Sequence, residues 1–152
     1  MKKVFLATSF TGQMDYTNGV VSGEYKAAME ALLQLLRKDD MFEVYNTLES
    51  ANWKIGQTPE ADVHKDLKHL DESEVFLALI EDKPSASLEF EIGYAVGKGK
   101  QVVLAIETGH ELSYFNQGTV SAGLVTLITY DDAAGLLNQL VVAINAPAET
   151  LL

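Results

Sequence analysis

The sequence predicts a doubly wound α/β domain, a parallel sheet of about five strands with helices on both faces. The apolar runs VFLALI, QVVLAI and GLVTLITY are continuous and of strand length, the pattern of strands buried on both sides. Between them lie stretches whose apolar residues recur at helical spacing. Turn-forming Gly, Asn, Ser and Thr cluster where the two patterns meet. With 152 residues the chain reads as one domain spanning 1–152, large enough for a core that needs no staples, and flavodoxin-like in outline.

Taken in order, KVFLATSF reads as a buried strand and FTGQMDYTNG as the loop that follows it. From about Val20 to Arg37, the positions Val21, Tyr25, Ala28, Met29, Leu32 and Leu36 mark a helix. MFEVYN is a short second strand. Thr58 before Pro59 has the form of an N-cap and first helical residue, opening a helix through about Leu70. VFLALI is the third strand. In SLEFEIGYAVGKG, Leu88, Ile92 and Ala95 share a helical face, and Gly97 and Gly99 stand near its stop. QVVLAI and GLVTLITY are the last strands. DDAAGLLNQLVVAIN supplies a final helix with acidic residues in its first turn. No repeat or low-complexity linker interrupts the series.

Composition narrows the function. Acidic residues number 22 against 11 basic ones, a net charge of −11, which repels DNA, RNA and anionic membrane surfaces. A small ligand is still admissible, because local backbone dipoles can outweigh global charge. The absence of cysteine excludes disulfides, thiolate nucleophiles and sulfur metal sites. His64 and His69 are spaced too poorly to share a helix face, and there is no HExxH pattern, so neither a metal nor another cofactor is expected. The opening MKKVFLATSF alternates like a strand, and the apolar runs fall short of a membrane span. A cytoplasmic protein is the expectation.

In a doubly wound sheet, ligands sit beyond the carboxyl ends of the strands. Three loops qualify: SFTGQMDYTNG, EDKPSAS and ETGHELSYFNQGTVSAG. Two carboxylates, Glu89 and Glu91, follow the second of them. A helix starting near Ser87 puts both in its first turn, where the dipole favours negative charge by roughly 0.3–1 kcal/mol each. For Glu89 that is explanation enough. Glu91 is flanked by Phe90 and Ile92, with Tyr94 and Ala95 one turn on, so it stands at the edge of the buried stripe. Held ionised by the helix terminus and shielded from water, it has the makings of a nucleophile, although first-turn glutamates are common for capping alone. Asp66, in DVHKDLKHLDESEV, lies one turn from Asp62 and close to His69. It reads either as part of a solvated helix face or as the second carboxyl that such a nucleophile needs for proton transfer.

The segment HKDLKHLDESEVFLALIEDKPSASLEFEIGYAVGKGKQVVLAI resembles the core of the nucleoside 2-deoxyribosyltransferase superfamily. The matching positions are Asp66 and Leu67 before the apolar strand, then Glu91, Ile92, Gly93 and Ala95, then Gly99 and Lys100. The likeness runs from the first strand to about Leu124 and leaves 42–62 unmatched. It implies N-glycosidic chemistry, with Glu91 attacking C1 of the sugar to form a glycosyl ester and Asp66 protonating the leaving base or positioning the sugar. Water as acceptor makes a hydrolase; a second base makes a transferase.

Departures within the motif point toward a branch. Where transferases of free nucleosides carry an aspartate six residues before the glutamate, this chain has Ser85, and Pro84 with Ser85 resembles the branch that hydrolyses deoxynucleoside 5-monophosphates. That branch implies a phosphate cradle at Ser9, Phe10, Thr11 and Gly12, with Thr11 standing in for an arginine. It also implies a serine near Ser121 that reaches the site of a neighbouring subunit, hence a homodimer or higher homo-oligomer. Ser85 and Ser87 are substrate contacts on this view and turn or N-cap residues on the ordinary one. Phe5 stands where a tyrosine often holds the nucleophile, and Asn116 is either a loop residue or a sugar contact. Two other readings stand beside the enzyme: a non-catalytic nucleotide-binding module on the same fold, and an interaction domain whose acidic helix ends are only caps. Ribose or deoxyribose, the base, and free nucleoside or monophosphate are left open.

Overall fold

The computed structural model describes residues 1–9, 14–15, 18–54, 58–81 and 85–145. The main sheet holds β1 (Lys2–Ala7), β2 (Phe42–Asn46), β3 (Val75–Ile80), β4 (Gln101–Glu107) and β5 (Thr126–Tyr130). All pairings are parallel and the spatial order is β2-β1-β3-β4-β5, the flavodoxin-like order. The helices are α1 (Gly23–Arg37), α2 (Thr47–Ser50), α3 (Pro59–Glu72), α4 (Ala86–Gly97), α5 (Tyr114–Ser121) and α6 (Ala133–Asn145).

Alternation along each strand divides the core into two layers. Val4, Leu6, Leu77 and Val103 face α1 and α6, which bury Leu33, Leu36, Leu136 and Leu140 against them. Phe5, Phe76, Ala78 and Leu104 face the other side, covered by Leu70 of α3 and by Leu88, Ile92 and Ala95 of α4. Each fully buried Leu or Phe contributes roughly 1.5–3 kcal/mol, so both layers hold the sheet. Among the residues of α3, Leu70 near the carboxyl end is the fully buried one. The amino-terminal half of that helix therefore borders a space above the sheet rather than filling it.

Local chemistry sets the boundaries. Thr58 caps α3, accepting the Ala61 N–H at 3.1 Å, with Pro59 as the first helical residue, as its sequence form predicts. Gly99, at φ 71°, closes α4, whose last turn is sealed by the Gly99 N–H on Val96 and the Lys100 N–H on Ala95. Several boundaries depart from expectation. Val20–Val21 lies outside α1 in a two-residue antiparallel ribbon with Met14–Asp15, and Val21 donates to the Trp53 carbonyl at 2.9 Å. Asp131 and Asp132 precede α6 rather than occupying its first turn, and Asp132 Oδ1 accepts the Gly135 N–H at 2.7 Å. The stretch after β4 is no simple loop: Ser113 caps α5 there. Gly123, at φ 72°, ends that turn and delays β5 to Thr126.

Candidate active site

A cavity of about 420 Å³ opens at the carboxyl ends of β1 and β2, on the face covered by α3 and α4. Ala7 and Thr8 form its floor, Tyr45 and Thr47 one side, the first two turns of α3 the opposite side, and Ser87, Phe90 and Glu91 of α4 the end. Its size is in the range of small-molecule sites, roughly 300–1,000 Å³. Leu48, Val63, Leu67 and Phe90 make the walls mainly apolar.

Asp66 projects from α3 and is held on one oxygen by two hydroxyls. Its Oδ1 accepts from Tyr45 at 3.0 Å and from Thr47 at 2.9 Å. Burial raises its pKa and these two donors pull it back, since hydrogen bonds to a carboxylate favour the anion. The Tyr45 ring is fixed in turn, stacked on His69 with centroids 3.8 Å apart and tilted against Phe5 at 5.1 Å. Thr47 is placed by Asn46, which is buried, donates to the Leu6 carbonyl at 3.0 Å and caps α2 through the Glu49 N–H. The end of β2 thereby fixes both partners of Asp66.

Glu91 meets the opposite treatment. Its Oε2 is buried and has no hydrogen-bond partner among the described residues. Burial first, and the charge of Asp66 second, push its pKa up to about 8. The expectation of a carboxylate held ionised by the helix terminus is thus corrected. Ser85 is the N-cap and α4 begins at Ala86, so Glu91 falls in the second turn. The dipole effect of roughly 0.3–1 kcal/mol fades after the first turn. The rise from 4.5 to about 8 reflects an unfavourable burial on the order of 4–5 kcal/mol. Burial wins, and the free protein holds Glu91 neutral at neutral pH.

The remaining sequence-predicted positions separate clearly. Glu89 does occupy the first turn; it is exposed and accepts from the buried Asn116 amide at 3.0 Å, off the cavity. Asn116 therefore serves α5 packing. Ser85 accepts the Leu88 N–H at 3.4 Å, and its hydroxyl lies 2.8 Å from that of Ser87, which borders the cavity. Ser9 is fully buried just past β1, beside the cavity residue Thr8. Phe5 is buried beneath Tyr45 and stacked on Phe76. Ser121 is exposed at the end of α5, outside the cavity of its own chain. Phe10, Thr11, Gly12 and Pro84 lie outside the described residues. Of the three candidate loops, the one after β4 does not reach this cavity. Its Glu107 and His110 border a separate hollow on the α1/α6 face with Tyr25 and Tyr130.

Sequence reasoning missed Tyr45, Thr47 and Asp62. Tyr45 and Thr47 stand two residues apart at the carboxyl end of a strand, where a doubly wound sheet presents ligand contacts, and that signal was available. Among the described residues, no group of three or more His, Asp or Glu side chains forms a metal site, and no helix is long and apolar enough to cross a membrane.

The strand order and the cavity at the strand ends define the class: the chain has the fold of the nucleoside 2-deoxyribosyltransferase superfamily. Among solved structures it is similar to BlsM, at 26% identity and a TM-score of 0.77 over 98% of this chain and 97% of that one. It is similar also to the CMP N-glycosidase BcmB of Clostridium botulinum, at 23% identity and 0.66 over 93% and 99% of the two chains. The 2-deoxyribosyltransferase of Bacillus psychrosaccharolyticus follows at 19% identity and 0.60 over 90% of each. No protein-family model and no curated protein matches the sequence.

Proposed function

We propose that the protein cleaves the N-glycosidic bond of a nucleoside or nucleoside 5-monophosphate, with Glu91 as nucleophile and Asp66 as proton donor. The observation that carries this reading is the pairing of the two carboxyls on one apolar cavity, near enough that the charge of Asp66 raises the pKa of Glu91. Two carboxyls of unequal environment are what glycosidic cleavage with a covalent intermediate requires. The fold neighbours BcmB and the Bacillus enzyme are named for N-glycosidic chemistry, which supports the same class here.

In the free protein the pair holds one proton, resident on Glu91. Sugar binding brings developing positive charge at C1 beside Glu91, which favours its carboxylate and moves the proton to Asp66. Glu91 then bonds to C1 while the C1–N bond breaks. Its electron pair goes to the base nitrogen, which takes the Asp66 proton. Asp66, now anionic, accepts a proton from water as the water oxygen displaces Glu91 from C1. A second base in place of water makes the same pair a transferase. Ser87, Ser85 and the stretch 9–12 are assigned to the sugar and its 5-substituent. Ser121 is assigned to the cavity of a second copy in a homo-oligomer of the cytoplasm.

One observation favours a second reading. A glutamate that is neutral near pH 7 suits a module that binds a nucleoside without cleaving it. The decisive experiment incubates the protein with nucleosides and their 5-monophosphates, with and without an acceptor base, and follows free base by chromatography. Base release that disappears in Glu91→Gln supports the enzyme. Binding without release from any substrate supports the module.

A further inference from the structure

We infer that the cavity takes an uncharged nucleoside in preference to the corresponding 5-monophosphate. This names the substrate class of the site already proposed and rests on that reading. Three carboxyls border the cavity, Asp62, Asp66 and Glu91, against one amine among the described residues, Lys65. The Lys65 Nζ is directed to the Ser50 carbonyl at 3.4 Å, on the exposed side. Even with a proton on Glu91, Asp62 and Asp66 face a phosphate that carries about −1.5 to −2 at neutral pH.

The groups best suited to a phosphate are engaged elsewhere. Arg37 is the only arginine of the chain. Its fork is filled by Glu49 at 2.9 and 2.6 Å and by the Val44 carbonyl at 2.8 Å, on the α1 side of the sheet. A planar fork used in this way is not offered to a phosphate. At the start of α4 the Ser85 hydroxyl is turned inward, onto the Leu88 N–H and the Ser87 hydroxyl. What the cavity does present, Leu48, Val63, Leu67 and Phe90, is apolar wall suited to a base and an uncharged sugar.

The test uses matched pairs: cytidine with CMP, deoxycytidine with dCMP, adenosine with AMP. Two quantities are read, kcat/KM for base release by the wild type and the Kd of each compound with Glu91→Gln by calorimetry. The nucleoside is expected to lead its monophosphate by on the order of tenfold or more in both, with the gap widening as salt is lowered. Asp62→Lys is expected to move the ratio toward the monophosphate by about tenfold, and Asp62→Asn by a smaller step in the same direction, with thermal melts reporting the fold of each. A monophosphate that binds more tightly and is cleaved faster overturns this inference and leaves the N-glycosidase reading standing. Preferential nucleoside binding without base release supports the inference and overturns the catalytic reading. Absence of both binding and release overturns the two together.

Discussion

The Tyr45 hydroxyl donates to Asp66 Oδ1 at 3.0 Å, from a ring clamped between His69 and Phe5. A strand residue thereby sets the ionisation of a helix residue across the cavity. Tyr45→Phe keeps the stack and removes the donor. Asp66 is expected to rise in pKa, so the acid limb of the kcat/KM profile moves to higher pH while the optimum changes by less than about tenfold. Lost stability is expected near 1 kcal/mol by denaturant melts. An unmoved acid limb would remove Asp66 from the proton path.

The alkaline limb belongs to Glu91. The active pair holds one proton, so kcat/KM is expected to be bell-shaped and to fall above about pH 8, where the second proton leaves the pair. Glu91→Gln is expected to lower turnover by a factor on the order of thousands, because an amide cannot form the glycosyl ester.

The same group predicts a stability trend. With its folded-state pKa raised from 4.5 to about 8, Glu91 keeps its proton where the unfolded chain has released it. Its favourable contribution is complete below pH 4.5 and is lost as pH rises toward 8. Glu91→Gln lacks this titration. Melts at pH 5 and pH 9 are expected to show the variant gaining on the wild type with pH, by on the order of a few kcal/mol. Parallel curves would show that Glu91 ionises in the folded protein as it does in the unfolded chain.

How much of this was legible depends on what each residue is buried against. The strands were legible because two-sided burial leaves VFLALI and QVVLAI without polar interruptions. α5 was not: YFNQGTVS has a central glycine, and its buried member is the polar Asn116. Glu91 stood out by its apolar neighbours, but its protonation turned on a helix start that differs by one residue, which moved it beyond the reach of the dipole. The hydroxyls on Asp66 come from β2 and α2, distant in sequence, and no local pattern announces such a contact.

Glu89 supplies a control on the same helix. Its carboxylate accepts from Asn116, which is buried, at 3.0 Å, so Glu89→Ala leaves that amide unsatisfied and is expected to cost about 1–3 kcal/mol. Base release per folded molecule is expected to stay within about twofold, since the group lies off the cavity. A loss comparable to that of Glu91→Gln would move the chemistry to the first turn of α4.

Gly99 tests the other end of that helix. At φ 71°, a side chain there strains the backbone, and Gly99→Ala is expected to destabilise by about 1 kcal/mol in thermal melts with catalysis unchanged.

The cavity is assembled from two kinds of chain. Asp66 and Glu91 ride on helices that flank β3, whereas Thr47, Leu48, Ala51, Thr58 and Pro59 come from a single excursion between β2 and α3. Its ends are fixed, Asn46 by the Leu6 carbonyl and Thr58 by its cap on α3. Such a stretch behaves as a cassette: its inner sequence can be exchanged between two anchors while the reacting pair stays where the sheet puts it. Retargeting this protein to a different base is then a grafting problem confined to that segment, and the chemistry need not be redesigned with it.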